Sequence, residues 1–191
     1  ALPWISDVLI EMFPDAKFIH LVRNGKKVVS SFYNKFNNEM YRDENVKKLN
    51  DYLNNQKKNK LSSEKKYWRP IPTNNKQDLK KFILLGQFYR ICKYWNEINF
   101  KIENSLKNTD KKLLFKLEDI VSKKKFKEVG HFVGINKNDM QHFYDSFKKP
   151  TNVSIPKKII LTKKQNKIFN DVCGAQMIKY NYGKIEYEVK Y

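Results

Sequence analysis

The stretch Phe13-Pro-Asp-Ala-Lys-Phe-Ile-His-Leu-Val-Arg23-Asn-Gly25-Lys-Lys-Val-Val-Ser-Ser31-Phe-Tyr33 decides how the rest of the chain is read. Lys17 to Val22 is a short, mostly apolar, β-prone run bounded by Pro14-Asp15 and Asn24-Gly25, as expected of a strand in a parallel sheet. After Gly25 the period changes, and Val28, Val29, Phe32, Tyr33 and Phe36 recur at helical spacing. Arg23 therefore falls at the carboxyl end of a strand, and Ser31 falls about two turns into the following helix. In open α/β sheets ligands bind at that edge, where a helix start adds amide donors and a positive dipole end.

This segment resembles the 3′-phosphate-binding segment of the sulfotransferases that use 3′-phosphoadenosine-5′-phosphosulfate. In that family a strand runs into an Arg, then a turn, then a Ser eight residues after the Arg, and Arg23 and Ser31 stand at that spacing. The resemblance implies that Arg23 and Ser31 hold the 3′-phosphate of the donor. A guanidinium fork grips phosphate bidentately and a hydroxyl donates from the side, so the residue types suit the task.

Upstream, Leu2, Ile5, Val8, Leu9 and Met12 recur at helical spacing, so the chain opens inside a helix and further sequence is expected before Ala1. No signal peptide is visible in these residues. At 191 residues with 40% hydrophobic and 14% aromatic content, residues 1–191 read as one domain with a proper core and without a transmembrane segment.

The net charge of +19 favours anionic partners. Lysine and asparagine also accompany each other in runs such as Asn54 to Lys60, so the excess can equally be a compositional bias spread over solvated faces. Cys92 and Cys173 are far apart, each on the apolar side of a helix, and read as buried free thiols. His20, His131 and His142 form no zinc pattern with them, and His20 reads as a packed or hydrogen-bonded strand residue. This cysteine usage is compatible with the cytosol without deciding the compartment.

Residues 37–77 are a polar insertion in which the apolar rhythm weakens, leading to Tyr67-Trp68-Arg69-Pro70. In the family this region helps shape the acceptor site, so Trp68 and Arg69 are candidate acceptor contacts; equally, Trp68 can pin the loop to the core. Asp78 is placed to cap one long helix, whose stripe runs through Phe82, Phe88, Cys92, Trp95 and Ile98 to Leu106. Lys112 to Leu117 returns to a strand. Glu118-Asp119-Ile120 and Phe132-Val133-Gly134 match a second landmark of the family. Leu117 replaces its usual Tyr there and receives no binding role. Glu118 and Asp119 open the next helix, where they meet its dipole and read as caps; a paired general acid and base is the alternative reading of two adjacent carboxylates. Thr162 to Gln165 is a capping-box pattern, and Asn181-Tyr182 stands where the family closes its last helix with Gly-Tyr. Lys157 and Lys158 lie in a late basic loop, which in the family closes over the nucleotide; solvated loop lysines are the simpler reading.

The family also needs a phosphate-cradling loop with a Lys after its first strand, and the six glycines form no such loop here. The resemblance thus implies an α/β fold, a mainly parallel sheet flanked by helices with P-loop nucleotide-kinase-like topology, lacking the first strand-loop-helix unit. The implied function is transfer of a sulfuryl group from 3′-phosphoadenosine-5′-phosphosulfate to a hydroxyl or amine, leaving adenosine 3′,5′-bisphosphate, with no metal. Catalytic residues are expected upstream of Ala1. The expected partners are an acceptor substrate, such as an anionic glycan or another small molecule, and a separate N-terminal segment, with no specific nucleic acid. A non-catalytic polyanion-binding module on the same fold is the alternative. A nucleotide kinase would leave the Arg23–Ser31 spacing unexplained.

Overall fold

A computed structural model describes residues 5–34, 41–47, 76–148 and 160–183. Contacts within it divide the chain into two units. The first comprises Ala1–Asn24, Asn99–Lys158 and Lys190–Tyr191, and the second Gly25–Ile98 and Ile159–Val189.

In the first unit, helix α1 (Ser6–Met12) leads through the Pro14-Asp15 turn into strand β1 (Phe18–Val22). Strand β2 (Lys112–Lys116) pairs with β1 in parallel, in a register that sets Phe18 opposite Lys112 and Val22 opposite Lys116. The parallel pair flanked by helices agrees with the α/β expectation. On β1 the two faces differ: His20 and Val22 are buried, whereas Ile19 and Leu21 are exposed. A 3-10 turn (Leu117–Val121) follows β2, then helices α5 (Lys123–Val133) and α6 (Met140–Lys148).

Ser122 caps α5 by accepting from the Lys125 N–H. Gly134 ends that helix with φ 92°, a left-handed stop that glycine adopts without steric penalty. Phe115, Phe126, Val129 and Tyr144 form the core that clamps α5 and α6 to β2, and the Tyr144 hydroxyl donates to the Val121 carbonyl at 2.8 Å. Helix α1 forms where the helical spacing indicated, with Ile10 as its buried residue and Ile5, Val8 and Met12 exposed. Polar contacts attach it instead, with Ser6 Oγ 2.7 Å from Ser105 Oγ and Lys101 paired with Asp7.

The second unit holds helix α2 (Gly25–Asn34), a helical turn at 43–47, helix α3 (Lys76–Leu84), helix α4 (Gln87–Ser105) as far as Ile98, and helix α7 (Lys163–Lys179). Asp78 lies within the first turn of α3 rather than ahead of it, and the expected single long helix is interrupted at 85–86. Gly86 weakens the helix there, and the buried Arg90 supplies the physical reason that the break is stable. Its Nε donates to the Phe82 carbonyl at 2.8 Å, and another nitrogen donates to Ile83, so the last carbonyls of α3 have partners. Arg90 also donates to the Tyr41 carbonyl at 2.9 Å and pairs with Asp43.

The core of this unit carries Val29, Ile91, Cys92, Trp95, Phe169, Cys173 and Tyr180. Both cysteines are free and buried as expected; the Cys173 thiol donates to the Cys92 carbonyl at 3.4 Å, and burial pushes the Cys173 pKa well up. Thr162 and Gln165 form the capping box expected of α7. At its other end Asn181 takes φ 54°, and the Tyr182 N–H returns to the Met177 carbonyl at 2.9 Å, the left-handed stop anticipated there.

Candidate functional site

Arg23 directly follows the last residue of β1, at the strand's carboxyl end, and is half-buried. Its neighbour Asn24 is almost wholly enclosed at 2% exposure, and the Asn24 backbone N–H donates to Glu118 Oε1 at 3.0 Å. The sheet explains this contact. Val22 faces Lys116, so continuing the register by two residues brings Asn24 level with Glu118. The ends of both strands are thus joined by a carboxylate that fixes the main chain just after Arg23. Glu118 does not act as a helix cap: no side chain caps its 3-10 turn, and Ser122 caps the helix that follows. The residue replacing the family's Tyr, Leu117, lies between Lys116 and Glu118 and is half-buried.

On the other side of the turn, Gly25 begins α2 and is packed without room for a side chain. A Cβ there would lie 3.0 Å from the Trp95 ring and 3.1 Å from Phe169. The Gly25 N–H donates to Met177 Sδ at 3.3 Å, so α2 starts against the floor of the second unit. Ser31 is the seventh residue of α2, two turns in as the sequence indicated, and is half-buried. Ser30 beside it is different. It is fully buried and its hydroxyl has no hydrogen-bond partner among the described residues.

The structure therefore places Arg23 in the first unit and Ser31 in the second, one immediately before the Asn24-Gly25 turn and one in the helix that leaves it. Trp68, Arg69, Lys157 and Lys158, and the insertion 37–77 apart from 41–47 and 76–77, lie outside the described residues. His20 is buried with Nε2 3.1 Å from Asn99 Oδ1, the hydrogen-bonded histidine expected of the strand. Among the described residues no three His, Cys, Asp or Glu side chains gather as a metal site, and no helix is long and apolar enough to cross a membrane.

Sequence reasoning missed the role of Glu118 as a clasp on the Asn24 amide and that of Arg90 as the partner of the α3 carbonyls. The signal for Glu118 was present but incomplete: a carboxylate just beyond one strand and a tight turn just beyond another meet only if the two strands are neighbours in that register.

Residues 4–78 match the profile of a family described as the sulfotransferase family, less than half of the 191-residue chain. Searches of curated proteins and of solved structures return no match. The matched segment contains β1, the Asn24-Gly25 turn, α2 and both residues singled out for phosphate binding. Over residues 4–78, and over those residues alone, the chain is similar to the sulfotransferase family.

Proposed function

We propose that this chain forms the 3′-phosphate-binding part of a sulfotransferase whose donor is 3′-phosphoadenosine-5′-phosphosulfate and whose acceptor is a hydroxyl or an amine. The observation that carries this reading is the placement of Arg23 at the carboxyl end of β1 with Ser31 two turns into α2, inside the segment that matches the family. The chemistry of these residues fits the nucleotide. A half-buried guanidinium offers paired donors to a phosphate, a half-buried hydroxyl offers one more, and the start of a ten-residue helix lies between them in the chain.

When bound, the donor supplies the sulfuryl group. Arg23 and Ser31 bind and orient rather than make or break bonds: fixing the 3′-phosphate holds the nucleotide in one pose, and positioning of that kind is a large part of the rate of any group transfer. Glu118 contributes indirectly by holding the main chain behind Arg23.

Calorimetric titration with adenosine 3′,5′-bisphosphate, against adenosine 5′-monophosphate, tests the proposal. The bisphosphate should bind preferentially at both low and moderate salt. Arg23→Ala should weaken it by roughly tenfold to a hundredfold, the loss of a charge-assisted pair, while barely changing the monophosphate. Equal losses for both nucleotides would remove Arg23 from the 3′-phosphate site, and steeply salt-dependent binding without preference would instead favour the polyanion-binding module.

A further inference from the structure

We infer that the groove between α2 and α7, wholly within the second unit, is a binding site for a long-chain fatty acid, with the carboxylate held at a lysine end and the acyl chain laid along an apolar end. The groove encloses about 890 Å³, and its walls are more apolar than polar. Its cations are gathered at the start of α7. Lys163 and Lys167 are one helical turn apart and exposed, and Lys26 reaches across from α2 with its ammonium 5.8 Å from the centre of the Phe169 ring. None of these three lysines forms an ion pair among the described residues. Beyond Asp171 the lining changes to Gly174, Ala175, Met177 and Ile178 and carries no further charge.

This gradient chooses the ligand class. Lysines at one end alone suit a single anionic head, and Asp171, the one carboxylate of the lining, opposes a second charge. The far end offers hydrocarbon and thioether surface, where a hydroxyl-rich chain would find no side-chain donor and an acyl chain needs none. From Lys167 to Ile178 the helix rises on the order of 16 Å at 1.5 Å per residue, the reach of a long acyl chain. Gly174 points the same way. It stands in the interior of a helix of 17 residues, where glycine is unfavourable, yet a Cβ there would meet nothing within 4 Å among the described residues. The helix thus leaves open the space that a side chain would occupy, between the lysines and an Ile178 that is itself 59% exposed. A membrane surface would call for a convex apolar face rather than a groove.

The inference goes beyond the sulfotransferase reading and does not depend on it, since a fatty acid has neither a hydroxyl nor an amine to accept a sulfuryl group. The test is calorimetry on the full chain with tetradecanoate below its micellar concentration. Hexanoate keeps the head and loses most of the tail, and should bind roughly a hundredfold more weakly, because each buried methylene adds to affinity. Lys163→Ala/Lys167→Ala should weaken tetradecanoate by about tenfold; Lys123→Ala/Lys124→Ala removes the same charge from exposed positions on α5 and should leave it unchanged. Ile178→Glu sets a carboxylate in the path of the acyl chain and should also cost about tenfold. Gly174→Leu should abolish binding while raising the melting temperature, because leucine is the better helix former and enters open space.

Equal affinities for hexanoate and tetradecanoate, or equal losses in the two lysine double variants, would show binding by charge alone and overturn the site. So would an affinity that Ile178→Glu leaves unchanged, or no binding of tetradecanoate at all. A lower melting temperature for Gly174→Leu would mean that another segment of this chain fills the groove. Phosphatidylserine vesicles that bind through Lys163 and Lys167 while tetradecanoate does not would make this face a membrane contact. Either result defeats the fatty-acid site.

Discussion

The carboxylate of Glu118 accepts the backbone N–H of Asn24 at 3.0 Å across 94 residues of chain, tying the end of one parallel strand to the turn after its neighbour. Asn24 is enclosed, so this amide would otherwise be a buried donor without a partner, at a cost of about 1–3 kcal/mol. The bond leaves Arg23 on a main chain fixed from both sides, by sheet pairing before it and by Glu118 after it.

Glu118→Ala should therefore lower the affinity for adenosine 3′,5′-bisphosphate by about tenfold, with a smaller effect on adenosine 5′-monophosphate. Glu118→Gln keeps an acceptor oxygen at the same reach and should recover most of the loss. A merely structural role would reduce both nucleotides alike, so the ratio of the two affinities, measured beside a thermal melt, decides between them.

The adjacent serines of α2 should behave oppositely. Ser31→Ala removes a half-buried hydroxyl proposed to meet phosphate and should weaken the bisphosphate severalfold while leaving the melting temperature near its original value. Ser30→Ala removes a fully buried hydroxyl with no partner among the described residues and should be neutral or stabilising by about 1 kcal/mol, with nucleotide affinity unchanged. A reversed pattern would mean that the phosphate is met from the other face of the helix.

How much of this was legible in the sequence depended on how local the physics was. The strand before Arg23, the helix after Gly25, the capping box at Thr162 and the left-handed stop at Asn181 each follow from residues within a few positions of one another, and each is present. The long helix expected after Asp78 failed because its fate rests on Arg90 reaching back to the Phe82 and Ile83 carbonyls, a tertiary bond that periodicity does not register. The helix expected from the spacing of Val8, Leu9 and Met12 is present as α1, but periodicity does not say which face is covered: Ile10 is buried while Val8 and Met12 are exposed. Glu118 had the wrong role assigned because a carboxylate before a helix looks like a cap until strand register places it beside Asn24.

Arg90 offers the sharpest test of the helix break. Arg90→Ala would leave the Phe82 and Tyr41 carbonyls short of a donor and open a cavity, and should cost about 3 kcal/mol or more in denaturant unfolding. Arg90→Lys should recover little, because one ammonium cannot reproduce a planar fork that meets several carbonyls at once. Asp43→Asn should cost no more than about 1 kcal/mol, since the Asp43 side chain is 79% exposed.

At Gly25 the limit is space rather than hydrogen bonding. Two rigid rings stand where a side chain would begin, so Gly25→Val must displace Trp95 or Phe169 and should destabilise by about 1–3 kcal/mol. The measurement is the urea midpoint, and an unchanged midpoint would show that the start of α2 can shift without cost.

The attachment of α1 should respond to acid. Lys101 donates to Asp7, and this bond, with a further one from Ser105, holds the Asp7 carboxyl below its ordinary value of 3.8. A depressed folded-state pKa stabilises the fold fully above the unfolded value, and that contribution disappears as pH falls through the folded one. Asp7→Asn should accordingly melt lower than the parent chain at neutral pH, with the difference shrinking below pH 3.8 and vanishing once both carboxyls would be protonated. Asp15, held down by Lys111 but wholly exposed, should show the same direction with little amplitude. A difference between Asp7→Asn and its parent that stays constant down the whole acid range would mean that Asp7 contributes through packing, and that Ser6, Ser105 and Ile10 anchor the helix without its charge.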